Sequence, residues 1–91
     1  MADVVWPDDV IAKIDEITAY IEQEDTAAAG RIYRRLIALG ESLADFPHRG
    51  RPVKDGAREM TGIPPYVIRY RVIGETVVIV GIRHGRQRPL P

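Results

Sequence analysis

The sequence contains no cysteine, which excludes disulfide bonds, thiolate metal sites and a cysteine nucleophile. It has only two histidines, His48 and His84, and these stand far apart, so no metal site and no cofactor are expected. No apolar run reaches the roughly 20 residues of a membrane span, and the segment from Met1 to Val4 lacks the features of a secretory signal. There is also no phosphate-binding glycine loop, dinucleotide fingerprint or nucleophile triad. These absences predict a cytoplasmic protein without a metal, a cofactor or a membrane partner.

The length and composition favour a small globular domain. The 91 residues are 45% hydrophobic and 29% charged, which is typical of a folded chain rather than a disordered one. A chain of this length has room for one hydrophobic core. We therefore predict one domain over residues 1–91.

The zero net charge conceals an asymmetry along the chain. Residues 1–47 carry ten acidic and four basic side chains, whereas residues 48–91 carry three acidic and nine basic ones, so their formal charges are −6 and +6. Eight of the nine basic residues in the second half are arginine, which favours planar recognition of phosphate or carboxylate. Either the second half binds an anionic partner, or the two halves neutralise each other within the fold.

Helical periodicity dominates the first half. The segment Val4-Val5-Trp6 predicts a short strand, and Pro7 followed by two acids marks a helix start. Trp6 is expected to lie in the core and to seal that start. The helix is predicted over about residues 8–23. Its buried stripe is expected to comprise Val10, Ile14, Ile17 and Ile21, with Ile11 alongside.

A second amphipathic helix follows after a short linker. Asp25 or Thr26 is suited to cap its start, and Pro47 is predicted to end it. Gly30 and Gly40 lower its intrinsic stability by roughly 1 kcal/mol each, so packing must hold it together. Its buried stripe is expected to comprise Ile32, Leu36, Leu39, Leu43 and Phe46. Because the linker is short, the two helices should form an antiparallel hairpin.

The second half favours β-structure. Residues 47–57 indicate a loop, a short strand is predicted around residues 58–61, and two longer strands flank a two-residue turn at Gly74-Glu75. This turn predicts three cross-strand pairs: Tyr70 with Ile79, Val72 with Val77, and Ile68 with Gly81.

Alternation along these strands separates two faces of the sheet. The face with Tyr70 is expected to pack on the helices, which leaves Arg69 and Arg71 on an open face together with Val78, Val80 and Ile82. A change of register by one residue would reverse the faces. The predicted order is β-α-α-β-β-β, an α+β fold in which an antiparallel β-sheet packs against an N-terminal αα-hairpin.

Several short motifs occur in a fixed order. They are Trp6-Pro7 after the first strand, the loop Pro47-His48-Arg49-Gly50-Arg51-Pro52, the strand Pro65–Val72 and the closing Arg83-His84-Gly85-Arg86. In this order and spacing the chain resembles the RelE/ParE superfamily of type II toxins, also called plasmid-stabilisation proteins, over nearly its whole length. The resemblance implies a toxin that an antitoxin neutralises.

The superfamily has two broad activities. RelE-like members cut messenger RNA in the ribosome without a metal, which requires a base near the ribose 2′-hydroxyl, a cation for the phosphate charge and an acid for the leaving oxygen. ParE-like members lack that set and inhibit DNA gyrase. This chain has Val67 where RelE-like enzymes commonly have arginine, and Arg86-Gln87-Arg88-Pro89 where several of them end in an aromatic or His-Tyr acid. The departure favours a ParE-like member, in which no catalytic residue is expected.

Two alternatives remain open at the level of the sequence. If the chain is a ribosome-dependent endoribonuclease, its candidate catalytic residues are Arg83, His84 and Arg86. His84 would serve as acid or base because an unperturbed histidine titrates near neutrality, although strand alternation turns Arg83 and His84 to opposite faces. In the other alternative, the chain has lost toxicity and forms complexes as a scaffold.

All three hypotheses imply an antitoxin that is acidic, folds on binding and forms a hetero-oligomer with the chain. The target that the resemblance implies is DNA gyrase, or the ribosome in the RelE-like alternative. Arg69 and Arg71 are expected to pair either with acids of the first helix or with antitoxin carboxylates. The residues expected to bind the antitoxin or the target are Arg49, Arg51, Arg69, Arg71, Arg83, Arg86 and Arg88.

Overall fold

The computed structural model describes residues 3–85. In chain order its elements are β1 (Asp3–Val5), α1 (Asp8–Glu22), α2 (Thr26–Ser42), β2 (Arg51–Pro52), a 3₁₀ turn (Lys54–Gly56), β3 (Arg58–Ile63), β4 (Tyr66–Ile73) and β5 (Thr76–His84). Within this range, no helix has the length and apolar character that a membrane crossing requires.

The five strands form one sheet in the order β1-β5-β4-β3-β2, and the α+β fold predicted from the sequence is confirmed. The pairs β5–β4, β4–β3 and β3–β2 are antiparallel, but β1 runs parallel to β5 with Val4 beside Val77. The sheet is therefore mixed rather than wholly antiparallel. Parallel neighbours need a long connection, and here the two helices and three strands between β1 and β5 supply it. The short strand β2 lies inside the segment predicted as a loop.

Both helices begin where their caps predict. Helix α1 follows Pro7, and Asp25 caps α2 by accepting a 2.9 Å hydrogen bond from the Ala28 amide. Helix α2 ends at Ser42 rather than at Pro47, because the next residues tighten into a turn in which Leu43 donates to the Gly40 carbonyl. Phe46, predicted as the last residue of the buried stripe, is consequently 62% exposed.

One face of the sheet packs on the helical hairpin, as predicted for the face with Tyr70. The fully buried side chains of this core are Val10, Ile14, Leu36, Leu43, Ile68, Tyr70, Val77 and Ile79. Each aliphatic side chain buried in this way contributes about 1.5–3 kcal/mol. Trp6 lies at the edge of this core, where its ring contacts Gly40 and its Nε1 donates to Glu41 Oε1 at 3.2 Å.

Strand β5 contains one residue, Val80, that has no counterpart in the regular β4–β5 pairing predicted from the turn. Gly74 has φ +62 at the first position of the Gly74-Glu75 turn, and the pairs Tyr70–Ile79 and Val72–Val77 form as predicted. Beyond them, a bulge at Val80 places Arg69 beside Gly81 and Ile68 beside Ile82, so the predicted Ile68–Gly81 pair is wrong. The bulge also moves Ile82 from the open face, where it was predicted, into the core, with 5% of it exposed.

Candidate functional site

A carboxylate on the open face of the sheet binds three arginines. Glu59 of β3 lies beside Arg69 of β4. Its Oε2 accepts a hydrogen bond from Arg69 Nε at 3.1 Å and forms an ion pair with Arg69 Nη2, also at 3.1 Å. Its Oε1 accepts from Arg83 Nη2 of β5 and from Arg51 Nη2 of β2, both at 3.3 Å. Four neighbouring strands thus contribute to one group, the Glu59 cluster, which comprises Glu59, Arg51, Arg69 and Arg83.

The Glu59 cluster is buried at its centre and open at its rim. The side chain of Glu59 is 1% exposed, those of Arg69 and Arg83 are 12% and 11% exposed, and that of Arg51 is 68% exposed. Burial raises the pKa of the Glu59 carboxyl, but hydrogen bonds from Arg69 and Arg83 and their positive charges outweigh it and hold that pKa below its ordinary value. Glu59 is therefore an anion at neutral pH.

The partners of the predicted basic residues differ from those expected. Arg69 pairs with Glu59 of β3 rather than with an acid of α1, and Arg71 Nη1 donates to the backbone carbonyl of Asp55. Arg49 lies apart from the Glu59 cluster and donates to Ser42 Oγ at 2.9 Å, beside α2. Since the ion pairs of Glu59 join residues of the second half of the chain, they do not neutralise the first half.

His84 lies on the opposite side of the sheet from Arg83. Its ring contacts the Tyr66 ring edge-on, with the centroids 5.8 Å apart, and both line a groove against Lys13 and Tyr20 of α1. Burial raises the pKa of the Tyr66 phenol, and Tyr20 raises it further. The structure therefore separates Arg83 and His84, as strand alternation predicts. Arg86 and Arg88 lie outside the described residues.

The loop motif Pro47–Pro52 has a structural explanation. The buried Tyr70 hydroxyl donates to the Pro47 carbonyl and accepts from the Gly50 amide, both at 2.8 Å. Arg58 Nη1 donates to the carbonyls of His48 and Gly50 at 3.1 and 2.7 Å. A Cβ at residue 50 would lie 2.6 Å from the Tyr70 hydroxyl oxygen, so glycine is required there. These bonds hold β2, and with it Arg51, beside Glu59.

Glu59 is the residue that the sequence prediction missed. It stands in a short, weakly patterned strand, and only the register that places it beside Arg69 reveals its role. A search for an acid facing an arginine across the β3–β4 connection would have found it. Elsewhere among residues 3–85, no three His, Cys, Asp or Glu side chains come together as a metal site would require.

The fold of this chain is similar to that of a toxin–antitoxin structure already solved. A solved structure described as "Chromosomal ParDE TA system from P. aeruginosa" superposes with a TM-score of 0.81, covers 92% of this chain and 96% of the other, and is 21% identical in sequence. The two chains share a fold, that of a small helical hairpin on one face of a sheet.

Sequence comparison then identifies the family. A family model described as "ParE toxin of type II toxin-antitoxin system, parDE" matches residues 4–89. "Toxin RelE2" of Caulobacter vibrioides is 45% identical over 85 residues, which cover 93% of this chain and 97% of that protein. "Putative toxin Y4kP" of Sinorhizobium fredii is 35% identical over 91% of this chain and 88% of its own length. The chain therefore belongs to the ParE family of type II toxins, within the RelE/ParE superfamily.

Proposed function

We propose that this toxin acts by binding rather than by chemistry, that its target is DNA gyrase, and that a cognate antitoxin neutralises it in a cytoplasmic hetero-oligomer. The observation that carries the proposal is the separation of Arg83 and His84 on opposite faces of the sheet. The Glu59 cluster and the open face around it are the surface proposed to contact the partner.

The separation weighs against metal-independent cleavage of RNA. Such cleavage needs a base, an acid and a cation around one phosphate. His84 lines the groove against α1, whereas the Arg83 guanidinium binds Glu59 on the other face at 3.3 Å. A phosphate bound at Arg83 therefore has the sheet between it and the imidazole. A surface that binds through arginines and has no catalytic base beside them supports a toxin that inhibits its target by binding to it and blocking its surface.

The test is a supercoiling assay with purified gyrase, relaxed plasmid and ATP. We expect the toxin to block supercoiling at micromolar excess, and the same gyrase to remain active when the chain has been denatured beforehand. Full supercoiling at that excess contradicts gyrase as the target. Normal growth of cells that express the chain without an antitoxin would instead favour a complex-forming scaffold that has lost toxicity.

A second candidate function is ribosome-dependent cleavage of messenger RNA. It is favoured by the relative named Toxin RelE2, at 45% identity, and by the three arginines that converge on the open face. The deciding assay follows a labelled message on programmed ribosomes. Intact message, with gyrase inhibited in the parallel assay, rejects this candidate.

The antitoxin is proposed to be acidic, because the second half of the chain carries nine basic residues and three acidic ones. Its proposed docking surfaces are the helical hairpin and the open face with Arg69 and Arg71, and a strand of it would extend a free edge of the sheet. We expect the affinity to fall as salt rises, since exposed charges are screened. An affinity that is equal at low and high salt rejects this electrostatic contribution. A small DNA-binding protein encoded immediately upstream would be the natural candidate.

A further inference from the structure

A cleft of about 320 Å³ opens on the same face as the Glu59 cluster, where the β3–β4 turn meets the end of β5. Its walls are formed by Pro64, Pro65, Tyr66 and Val67. Thr61 supplies a hydroxyl group at the edge, and Arg83 supplies the charge. The Gly85 amide donates to the Pro65 carbonyl and ties the end of β5 to the turn. The cleft is thus bounded by backbone that hydrogen bonds hold in place.

The buried carboxylate of Glu59 holds the Arg83 side chain in position at this cleft. Its Nη2 donates to Glu59 Oε1 at 3.3 Å, and only 11% of its side chain is exposed. A guanidinium restrained in this way has little conformational freedom left to lose when a ligand binds. Low solvent exposure also reduces screening, so the attraction of this cation for an anion is stronger than at an open surface.

The charge balance leaves the Glu59 cluster attractive to anions. One carboxylate binds three guanidinium groups, so these four side chains carry two positive charges in excess. Glu59 lies at the floor, with its side chain 1% exposed, and Arg51 lies at the rim. A ligand carboxylate approaching from solvent therefore meets the arginines and not Glu59.

We propose that this cleft binds an acidic peptide segment, with a carboxylate on Arg83 and a neighbouring apolar side chain against Pro64, Pro65 and Val67. Glu59 acts through Arg83 as a positioning residue. Proline and aliphatic walls beside a single cation suit an acidic residue followed by an apolar one, whereas single-stranded nucleic acid favours a track of several cations along its backbone. The inference rests on the proposed function in one respect, that the partner is a protein.

The test uses two labelled peptides that differ only in charge, one alternating Glu and Val and the other alternating Gln and Val. Fluorescence anisotropy should show that the toxin binds the acidic peptide and that added salt weakens this binding. Arg83→Gln should reduce the affinity by about tenfold or more, because it removes the charge that faces the ligand. Lys54→Gln, in the exposed 3₁₀ turn and outside the lining of the cleft, should change it by less than about threefold.

Glu59→Gln separates positioning from simple attraction. The substitution adds one positive charge to the Glu59 cluster, so attraction alone predicts tighter binding of the acidic peptide. Positioning predicts weaker binding, by about fivefold or more, because the guanidinium groups lose the carboxylate that orients them. The affinity of Glu59→Asp should lie between those of the parent and of Glu59→Gln, since aspartate keeps the negative charge but its shorter side chain orients the guanidinium groups less well. Tighter binding by Glu59→Gln overturns the positioning role.

Thr61 provides a variant that leaves the core untouched, because it is exposed at the edge of the cleft. Thr61→Glu places a negative charge beside the proposed ligand and should abolish binding of the acidic peptide, while Thr61→Gln should bind it nearly as the parent does. Equal binding by these two variants overturns the site, as does equal binding of the two peptides by the parent. Tight binding of a single-stranded RNA oligonucleotide in place of the acidic peptide also overturns it.

The outcome is separable from that of the supercoiling assay. A toxin that inhibits gyrase but does not bind the acidic peptide retains its proposed function and loses this site. A toxin that binds the peptide through Arg83 but leaves gyrase active retains the site and loses gyrase as its target.

Discussion

Glu59 and Arg69 face each other across strands β3 and β4. Arg69 Nε donates to Glu59 Oε2 at 3.1 Å, and Arg69 Nη2 forms an ion pair with the same oxygen at 3.1 Å. The pair is buried on the face of the sheet that the helices leave uncovered. Because the Glu59 carboxylate is buried among arginines, the stability of the fold in acid depends on whether this carboxylate is ionised.

The first prediction concerns stability in acid. The pKa of Glu59 is lower in the folded chain than in the unfolded one, so the unfolded chain binds the proton more readily. The contribution of Glu59 is therefore complete above the unfolded pKa, and it is lost as the pH falls below that value and through the lower folded pKa. Urea unfolding measured at a series of pH values should show this loss for the parent chain.

Glu59→Gln should remove that dependence. At neutral pH the free energy of unfolding should fall by about 3 kcal/mol, because the substitution breaks a buried ion pair and leaves the arginines without their counter-charge. The difference from the parent should shrink as the pH is lowered. Glu75→Gln, in the exposed hairpin turn, is the matched control and should change stability by less than about 0.5 kcal/mol at neutral pH. A constant difference between Glu59→Gln and the parent at every pH contradicts the assignment.

The second prediction concerns the hydroxyl group of Tyr70. Its removal in Tyr70→Phe leaves the Pro47 carbonyl and the Gly50 amide without this partner and should cost about 1–3 kcal/mol of unfolding free energy. Tyr20→Phe is the control, because Tyr20 is 74% exposed, and it should lie within about 0.5 kcal/mol of the parent. Denaturant unfolding at neutral pH measures both. Equal stability of the two variants would show that the hydroxyl does not hold the loop.

The third prediction compares two glycines of the same helix. A Cβ at Gly40 would lie 2.3 Å from Trp6 Cη2, whereas at Gly30 the nearest atom is Arg34 Nη1, at 3.2 Å and at the end of a flexible side chain. Gly30→Ala should stabilise the fold by about 0.5–1 kcal/mol through helix propensity. Gly40→Ala should destabilise it by about 1–3 kcal/mol, because the indole ring must move. Thermal unfolding gives both signs, and two stabilising substitutions would contradict the close contact of Trp6 with α2.

The two ends of the helices differ in how well the sequence predicts them. The start of each helix and the hairpin turn were predictable, because caps, prolines and glycines act over a few residues. The spacing that placed Phe46 in the stripe continues past the real end of α2, where local turn geometry takes over at Leu43. Periodicity reports which face a residue would occupy in a helix, and not where the helix stops.

The open face was harder to predict, because its composition depends on long-range pairing. A single extra residue, Val80, shifts the pattern of β5 and moves Ile82 into the core. Nothing in the local pattern of Glu59 marks it as the counter-ion of Arg69 and Arg83, since that role follows from the order of the strands. The arginines were identified from charge alone, whereas their shared partner required the sheet.

The last prediction separates binding from catalysis at His84. If the toxin acts by binding its target, His84→Gln should inhibit gyrase as the parent does. It should lose about 1 kcal/mol of stability with the edge-on contact to Tyr66. If His84 were the general acid or base of an endoribonuclease, the same variant should lose roughly 10²- to 10⁴-fold in cleavage of message on ribosomes. His48→Gln, an exposed loop histidine, controls for loss of an imidazole elsewhere. Loss of ribosomal cleavage by His84→Gln alone, with its folded fraction unchanged in thermal unfolding, would overturn the binding mechanism and assign this histidine to chemistry.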